Sequence, residues 1–222
     1  MIQGLGYNVD YVFCVDGSER MREDLADFKE YVSRFRNEMI TVMEEENKEL
    51  TCLRAKVIVF RDFAAEGKPM EESRFFTLFG GEKEENDDFL AFVNGIEAVG
   101  GSDRSNGYEA LALAMKSKWT REGPCRRHVI QLFTNAPAIP LEERNNCPGY
   151  PKDMPKDLSE LEELWWVSEY ISHRAKRLLI IAPDHESWNE LILYAHTIIV
   201  PNGSIRGEHE SYLAIRWIFQ AM

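Results

Sequence analysis

Residues 12–21 read VFCVDGSERM. An apolar run, Val12 to Val15, stops abruptly at Asp16-Gly17-Ser18. A short continuous apolar run that ends in a turn signal fits a strand buried on both faces. Its polar end delivers a carboxylate and a hydroxyl to the edge of the sheet, where open α/β sheets bind ligands. Asp16 and Ser18 can hold a cation there, take part in chemistry, or cap the helix that follows.

Outward from this stretch, strand and helix patterns alternate. Met21 to Glu46 carries Leu25, Phe28, Val32, Phe35, Met39 and Val42 at steps of three and four, one apolar face of a long amphipathic helix. Val9–Val15, Lys56–Phe60, His128–Thr134, Leu178–Ala182 and His196–Val200 read as strands, and Arg74–Leu78 as a further candidate. Phe89–Ile96, Tyr108–Lys118, Leu158–His173 and Glu208–Ala221 read as helices, with helical segments also expected after the last two strands. This order predicts an α/β fold: a central, mostly parallel sheet with helices on both faces. Right-handed crossovers place the carboxyl ends of the parallel strands on one edge. The length of 222 residues suits a single domain spanning 1–222. Prolines at 137, 140, 148, 151 and 155 mark a long stiff loop over 136–157, either a functional loop or a tolerated surface insertion.

The net charge of −12, from 26 basic and 38 acidic residues, disfavours nucleic acid and anionic membranes as partners. One short basic cluster stands against it, at Arg121, Arg126, Arg127 and His128. No apolar run approaches the ~18 residues of a membrane span, and MIQGLGYNVD does not resemble a secretory signal. With four widely spaced cysteines and no CxxC, free thiols in a reducing cytoplasm are expected. His128, His173, His185, His196 and His209 show no metal-ligand spacing. Trp165-Trp166 is expected to give one core ring and one exposed ring. Arg61-Asp62, at a strand end, is expected to serve a structural salt bridge near the sheet edge. No phosphate-binding glycine loop, nucleophile elbow or Cys-His pattern occurs, so the chain is not expected to be an enzyme.

Three segments place polar residues at strand ends or helix starts: Asp16-Gly17-Ser18-Glu19-Arg20, Gly100-Gly101-Ser102-Asp103 and Thr134-Asn135. If their strands are neighbours, these segments meet. Carboxylate, hydroxyl and amide oxygens without clustered His or Cys suit a hard cation such as magnesium. The plainer alternative is that Asp16 or Ser18 caps the long helix, Ser102 or Asp103 caps the next one, and the glycines make a turn.

The stretches VFCVDGSERM (12–21), RAKVIVFRDF (54–63), GGSDRSNGYEALALA (100–114) and HVIQLFTNAPAIP (128–140) occur in an order that resembles von Willebrand factor A (vWA) domains. The likeness is to a bacterial cytoplasmic branch that includes tellurite-resistance-associated proteins. It implies a Rossmann-like vWA fold and a metal-ion-dependent adhesion site, in which a magnesium-type ion completes its shell with an acidic side chain of a protein partner. Asp16 and Ser18 match that motif. Arg20 stands where the family has a second serine, Ser102 or Asp103 takes the second-loop role, and Asn135 replaces an aspartate. The expected site is therefore degenerate, with weak or absent magnesium, and Glu19, Arg20 and Arg104 face the partner. The function implied is non-catalytic protein binding at the sheet's carboxyl edge, within a bacterial stress-response or signalling assembly. A metal-assisted hydrolase or phosphotransfer enzyme at the same edge, and a structural subunit with a relic site, are the alternatives. Oligomeric state has no signature in the sequence.

Overall fold

The computed structural model describes residues 6–64, 68–143, 147, 150–167, 169–201 and 208–220, without the side chains of 208–212 and 220. Its sheet contains β1 (Tyr7–Asp16), β2 (Leu50–Phe60), β3 (Met70–Glu72), β4 (Phe76–Phe79), β5 (Cys125–Phe133), β6 (Lys176–Ala182) and β7 (Thr197–Pro201). The order is β3-β2-β1-β5-β6-β7, and β4 also pairs with β2. The β1–β2, β1–β5, β5–β6 and β6–β7 pairs are parallel, whereas β3 and β4 run antiparallel to β2. The sheet is thus mostly parallel, as expected.

β3 has no counterpart in the sequence reading. Met-Glu-Glu lacks both apolar alternation and β-branched residues, and its pairing comes from the β2 edge beside it. Lys56, nearly buried on β2, donates to Glu72 at 2.7 Å there.

Helices cover both faces. One face packs against α1 (Arg22–Glu45), α2 (Asn86–Asn94) and α6 (Glu208–Gln220). The other packs against α3 (Gly107–Met115), α4 (Leu158–Val167) and the short α5 (Glu186–Asn189). Alternation along β1 divides the two cores: Val9, Tyr11, Phe13 and Val15 face α1, while Val12 and Cys14 face α3. The stripe read in α1 is the buried one. Leu25, Phe28, Val32, Phe35, Met39 and Val42 are all buried, each large side chain contributing about 1.5–3 kcal/mol.

Some boundaries differ from expectation. The helix predicted over 158–173 ends at Val167, with residue 168 outside the described residues. Beyond it the chain turns to feed β6, and Ser172 donates its N–H to His128 Nδ1 at 3.2 Å. In the 136–157 loop, residues 144–146, 148 and 149, including Pro148, lie outside the described residues, and so does Ala221. The basic cluster forms no continuous exposed patch, because Arg127 and His128 are buried. Trp165 is buried and Trp166 exposed, as read. Among the described residues no helix is long and apolar enough to cross a membrane.

Candidate functional site

β1, β2 and β5 finish level with one another: Asp16 pairs with Phe60, and Val15 with Phe133. Their following loops therefore meet at one edge, together with the 95–106 loop that joins α2 to α3. The α2–α3 loop is bound to the β1 loop by backbone hydrogen bonds from Val99 to Gly17 (2.9 Å) and from Glu19 to Gly100 (2.9 Å). On its other side it meets the β5 loop. Ser105 donates to Pro137 O, and Ile139 donates to Ser105 O, both at 2.9 Å.

Gly101 makes the first junction this close. Its φ is +91°, and a Cβ there would lie 2.4 Å from Ser18 Cβ. Only glycine accepts both constraints. The buried Arg61 guanidinium supports the same junction from below. It donates to Gly17 O and Glu97 O at 2.9 Å and pairs with Glu71 at 2.9 Å, a structural salt bridge of the kind expected.

Asp16 is fully buried. Its Oδ1 accepts Ser18 N–H at 2.9 Å, and its Oδ2 accepts the Thr134 hydroxyl at 2.7 Å. Burial outweighs these bonds and the field of Arg20, and raises the carboxyl pKa. Ser18 Oγ is buried with no hydrogen-bond partner. Neither Asp16 nor Ser18 caps a helix through its side chain: Ser18 precedes a 3-10 turn over Glu19–Met21 without a capping bond. Ser102 and Asp103 do not cap α3 either. Asn106 holds the N-cap position, and its side chain turns to Phe63 N and Glu109.

The remaining predicted residues divide. Arg20 is half-buried and reaches the α2–α3 loop. Its Nη1 donates to Asp103 O at 3.0 Å, its Nη2 donates to Ser102 O, and Nη2 lies 3.6 Å from the Asp103 carboxylate. That carboxylate points fully into solvent. Asn135 donates to Arg20 O (3.1 Å) and to Asp24 Oδ2 (2.7 Å), which leaves its Oδ1 buried without a partner. Ser102 Oγ stays within its own loop, bonded to Arg104. Glu19 pairs with Arg22, and Arg104 holds Glu143 through two bonds of 2.9 and 2.7 Å. Asp16, Ser18, Arg20 and Asn135 thus meet, while Asp103, Glu19 and Arg104 stand outward.

Thr134 and Asp24 complete this cluster. Thr134 was legible as a polar strand end. Asp24 looked like an ordinary helix first-turn acid, and only the fold brings it to Asn135.

A hard dication wants about six oxygens in near-octahedral geometry and several negative charges. The oxygens at hand are Ser18 Oγ, Asn135 Oδ1 and the remaining lone pairs of Asp16, whose carboxylate already accepts from Ser18 and Thr134, while the Asp24 carboxylate accepts the Asn135 amide. The field of the Arg20 guanidinium reaches Asp16, and the Asp103 carboxylate faces solvent. Among the described residues no group of three or more His, Cys, Asp or Glu is gathered to hold a metal. The donor set does not match a dication.

Beside this closed cluster lies an open cleft of about 400 Å³, between the β5 loop and α5. Tyr108, Pro137, Ala138, Pro140 and Leu158 line it, with Glu142, Glu186 and Glu190 at its mouth. The Tyr108 hydroxyl donates to Ser187 O, and burial together with the fields of Glu190 and Glu142 raises its pKa.

No family model and no curated protein matches the chain. Solved structures do. The pilus adhesin SpaC from Lactobacillus rhamnosus GG superposes with a TM-score of 0.59 at 10% identity, over 96% of this chain and 31% of that one. Proximal thread matrix protein 1 from the mussel byssus, described with a zinc-occupied MIDAS motif, gives 0.54 at 12% identity, over 96% and 46%. The fold is vWA-like. The chain spans less than half the length of either of these vWA-type neighbours. In this vWA-like fold, Asp16 stands at the carboxyl end of β1 and the closed cluster at the sheet edge.

Proposed function

We propose that this chain is a non-catalytic protein-binding module that receives its partner at the carboxyl edge of the sheet. The observation that carries this reading is the open, mostly apolar cleft beside a cluster whose polar groups are largely spent on one another. The two vWA-type neighbours, an adhesin and a thread matrix protein, fit a binding role better than a catalytic one. The resemblance implied an acidic partner side chain completing a metal's shell. The charges favour the opposite sign. Glu142, Glu186 and Glu190 make no ion pair among the described residues, and Arg104, the cleft's one arginine, is neutralised by Glu143. A lysine or arginine of the partner fits such a cleft, its stem on the apolar walls and its head at the carboxylates. The net charge of −12 would steer a basic partner toward the chain. A cytoplasmic, bacterial setting in a stress-response or signalling assembly follows from the resemblance and belongs to the same proposal.

The enzyme alternative draws on one feature. Ser187 Oγ lies 2.9 Å from His185 Nδ1 at the cleft. The same ring nitrogen accepts Ser187 N–H as the N-cap of α5, so capping accounts for the pair.

The test uses short peptides matched in length and apolar content but acidic, neutral or basic. Fluorescence anisotropy should detect basic peptides alone, with affinity falling as salt rises. The double variant Glu186→Lys/Glu190→Lys should abolish the binding while shifting stability by less than about 0.5 kcal/mol, as surface changes do. Binding of acidic peptides that depends on Arg20 would reverse the proposed charge. Phosphoester turnover lost in Asp16→Asn would replace the binding reading with the enzyme one.

A further inference from the structure

We infer that Arg20 is a built-in cation: its guanidinium joins the β1 and α2–α3 loops where the resemblance would use a metal ion, and it makes the edge independent of divalent metals. Three observations converge. First, the Arg20 side chain crosses from the loop that leaves β1 to the α2–α3 loop, where its guanidinium donates to both Ser102 O and Asp103 O. A planar fork suits two neighbouring oxygen acceptors better than a point charge does. Second, Asp103 has turned outward and lies 3.6 Å from Nη2, so a carboxylate available to an ion is instead a solvent-facing counter-charge to Arg20. Third, Asn135 fits the arrangement because of Asp24. Its amide donates to Asp24 Oδ2 at 2.7 Å, and an aspartate at 135 would set two carboxylates against each other. Asn135 also donates to the carbonyl of Arg20, which fixes the backbone from which the guanidinium reaches out. Arg20 and Asn135, the two departures from the family's motif, therefore form one connected device.

The consequence is regulatory. A metal-dependent edge loses its geometry when the ion is withdrawn, whereas this one keeps its geometry at any magnesium concentration. The inference concerns the edge on which the binding reading rests, but metal titration involves no partner, so the two fail separately.

The experiment compares the wild type with R20S, R20K and R20S/N135D. Each is titrated with manganese and with magnesium by calorimetry, and melted in EDTA and in either metal. The wild type should give no binding heat and the same melting temperature in every buffer. In EDTA, R20S should melt lower, by about 2–4 °C, because a serine reaches neither carbonyl, and R20K by less, because an ammonium can still donate to a carbonyl but lacks the planar fork. R20S/N135D restores a hydroxyl and adds a carboxylate beside Asp24. It should bind manganese, and its melting temperature should rise with metal concentration. Two results overturn the inference. One is micromolar metal binding by the wild type that D16A removes. The other is an R20S that melts like the wild type. If R20S/N135D fails to fold, as circular dichroism would report, those two results still decide the matter.

Discussion

The two halves of the sheet's carboxyl edge are built on opposite terms. In the half over β1 and β2, most polar groups answer another, Ser18 Oγ and Asn135 Oδ1 excepted. Arg61 holds Gly17 and Glu97, Asp16 holds Ser18 and Thr134, and Arg20 holds Ser102 and Asp103. In the half over β5 and β6 the backbone parts into a cleft of about 400 Å³, and three glutamates stand at its mouth. The motif that draws the eye in the sequence belongs to the closed half. A buried strand-end carboxylate can be a structural keystone of the loops around it.

The contrast can be broken most directly at Asp16. Asp16→Ala removes the acceptor for a buried N–H and a buried hydroxyl, and should cost about 3 kcal/mol in urea denaturation. A cost under about 1 kcal/mol would mean that the closed half is not held as described.

An effect of similar size should come from the far end of the sheet. His128 is buried, its Nε2 set 3.0 Å from Thr120 O and its Nδ1 accepting Ser172 N–H, an arrangement that needs a neutral ring. Burial lowers its pKa to about 4. Between about pH 6.5 and 4 the unfolded chain binds a proton there that the folded chain refuses. Stability therefore falls with acid across that window, by up to about 3 kcal/mol. Asp16 works the other way. Its raised pKa means that the folded chain takes up a proton first, which offsets part of the loss. His128→Asn should flatten the pH dependence of the urea midpoint, and an unchanged slope would assign the acid sensitivity to other groups.

Gly101→Ala should cost about 2 kcal/mol, from the positive φ and the contact with Ser18. Amide exchange should then quicken at Val99 and Glu19, whose N–H groups join the two loops. Unchanged exchange there would show that the junction does not depend on this close approach.

The alternation of strands and helices was plain in the sequence because VFCV, KVIVF and LLIIA are continuous apolar runs and α1 repeats its apolar residues at steps of three and four. β3 escaped because three polar-leaning residues carry no period. The end of α4 escaped because the sequence up to His173 carries no glycine or proline stop signal, while the chain past the helix is held by a bond from Ser172 to His128, more than forty residues away. The site divides in the same way. Asp16, Ser18, Arg20 and Asn135 were legible as a motif with two departures. That Asp24 faces Asn135, or that Glu142 and Glu190 share a cleft, depends on contacts between distant parts of the chain, and no local pattern encodes it.

The paired bonds of Ser105 with Pro137 and Ile139 also have a mechanical side. They form an isolated parallel bridge outside the strands of the sheet, so the two loops are tied at two points rather than one. This bridge links the β5 loop to the α2–α3 loop, and Arg20 links that loop to the one that leaves β1. A partner tugging at the cleft would be anchored by the whole sheet rather than by the tip of a single loop.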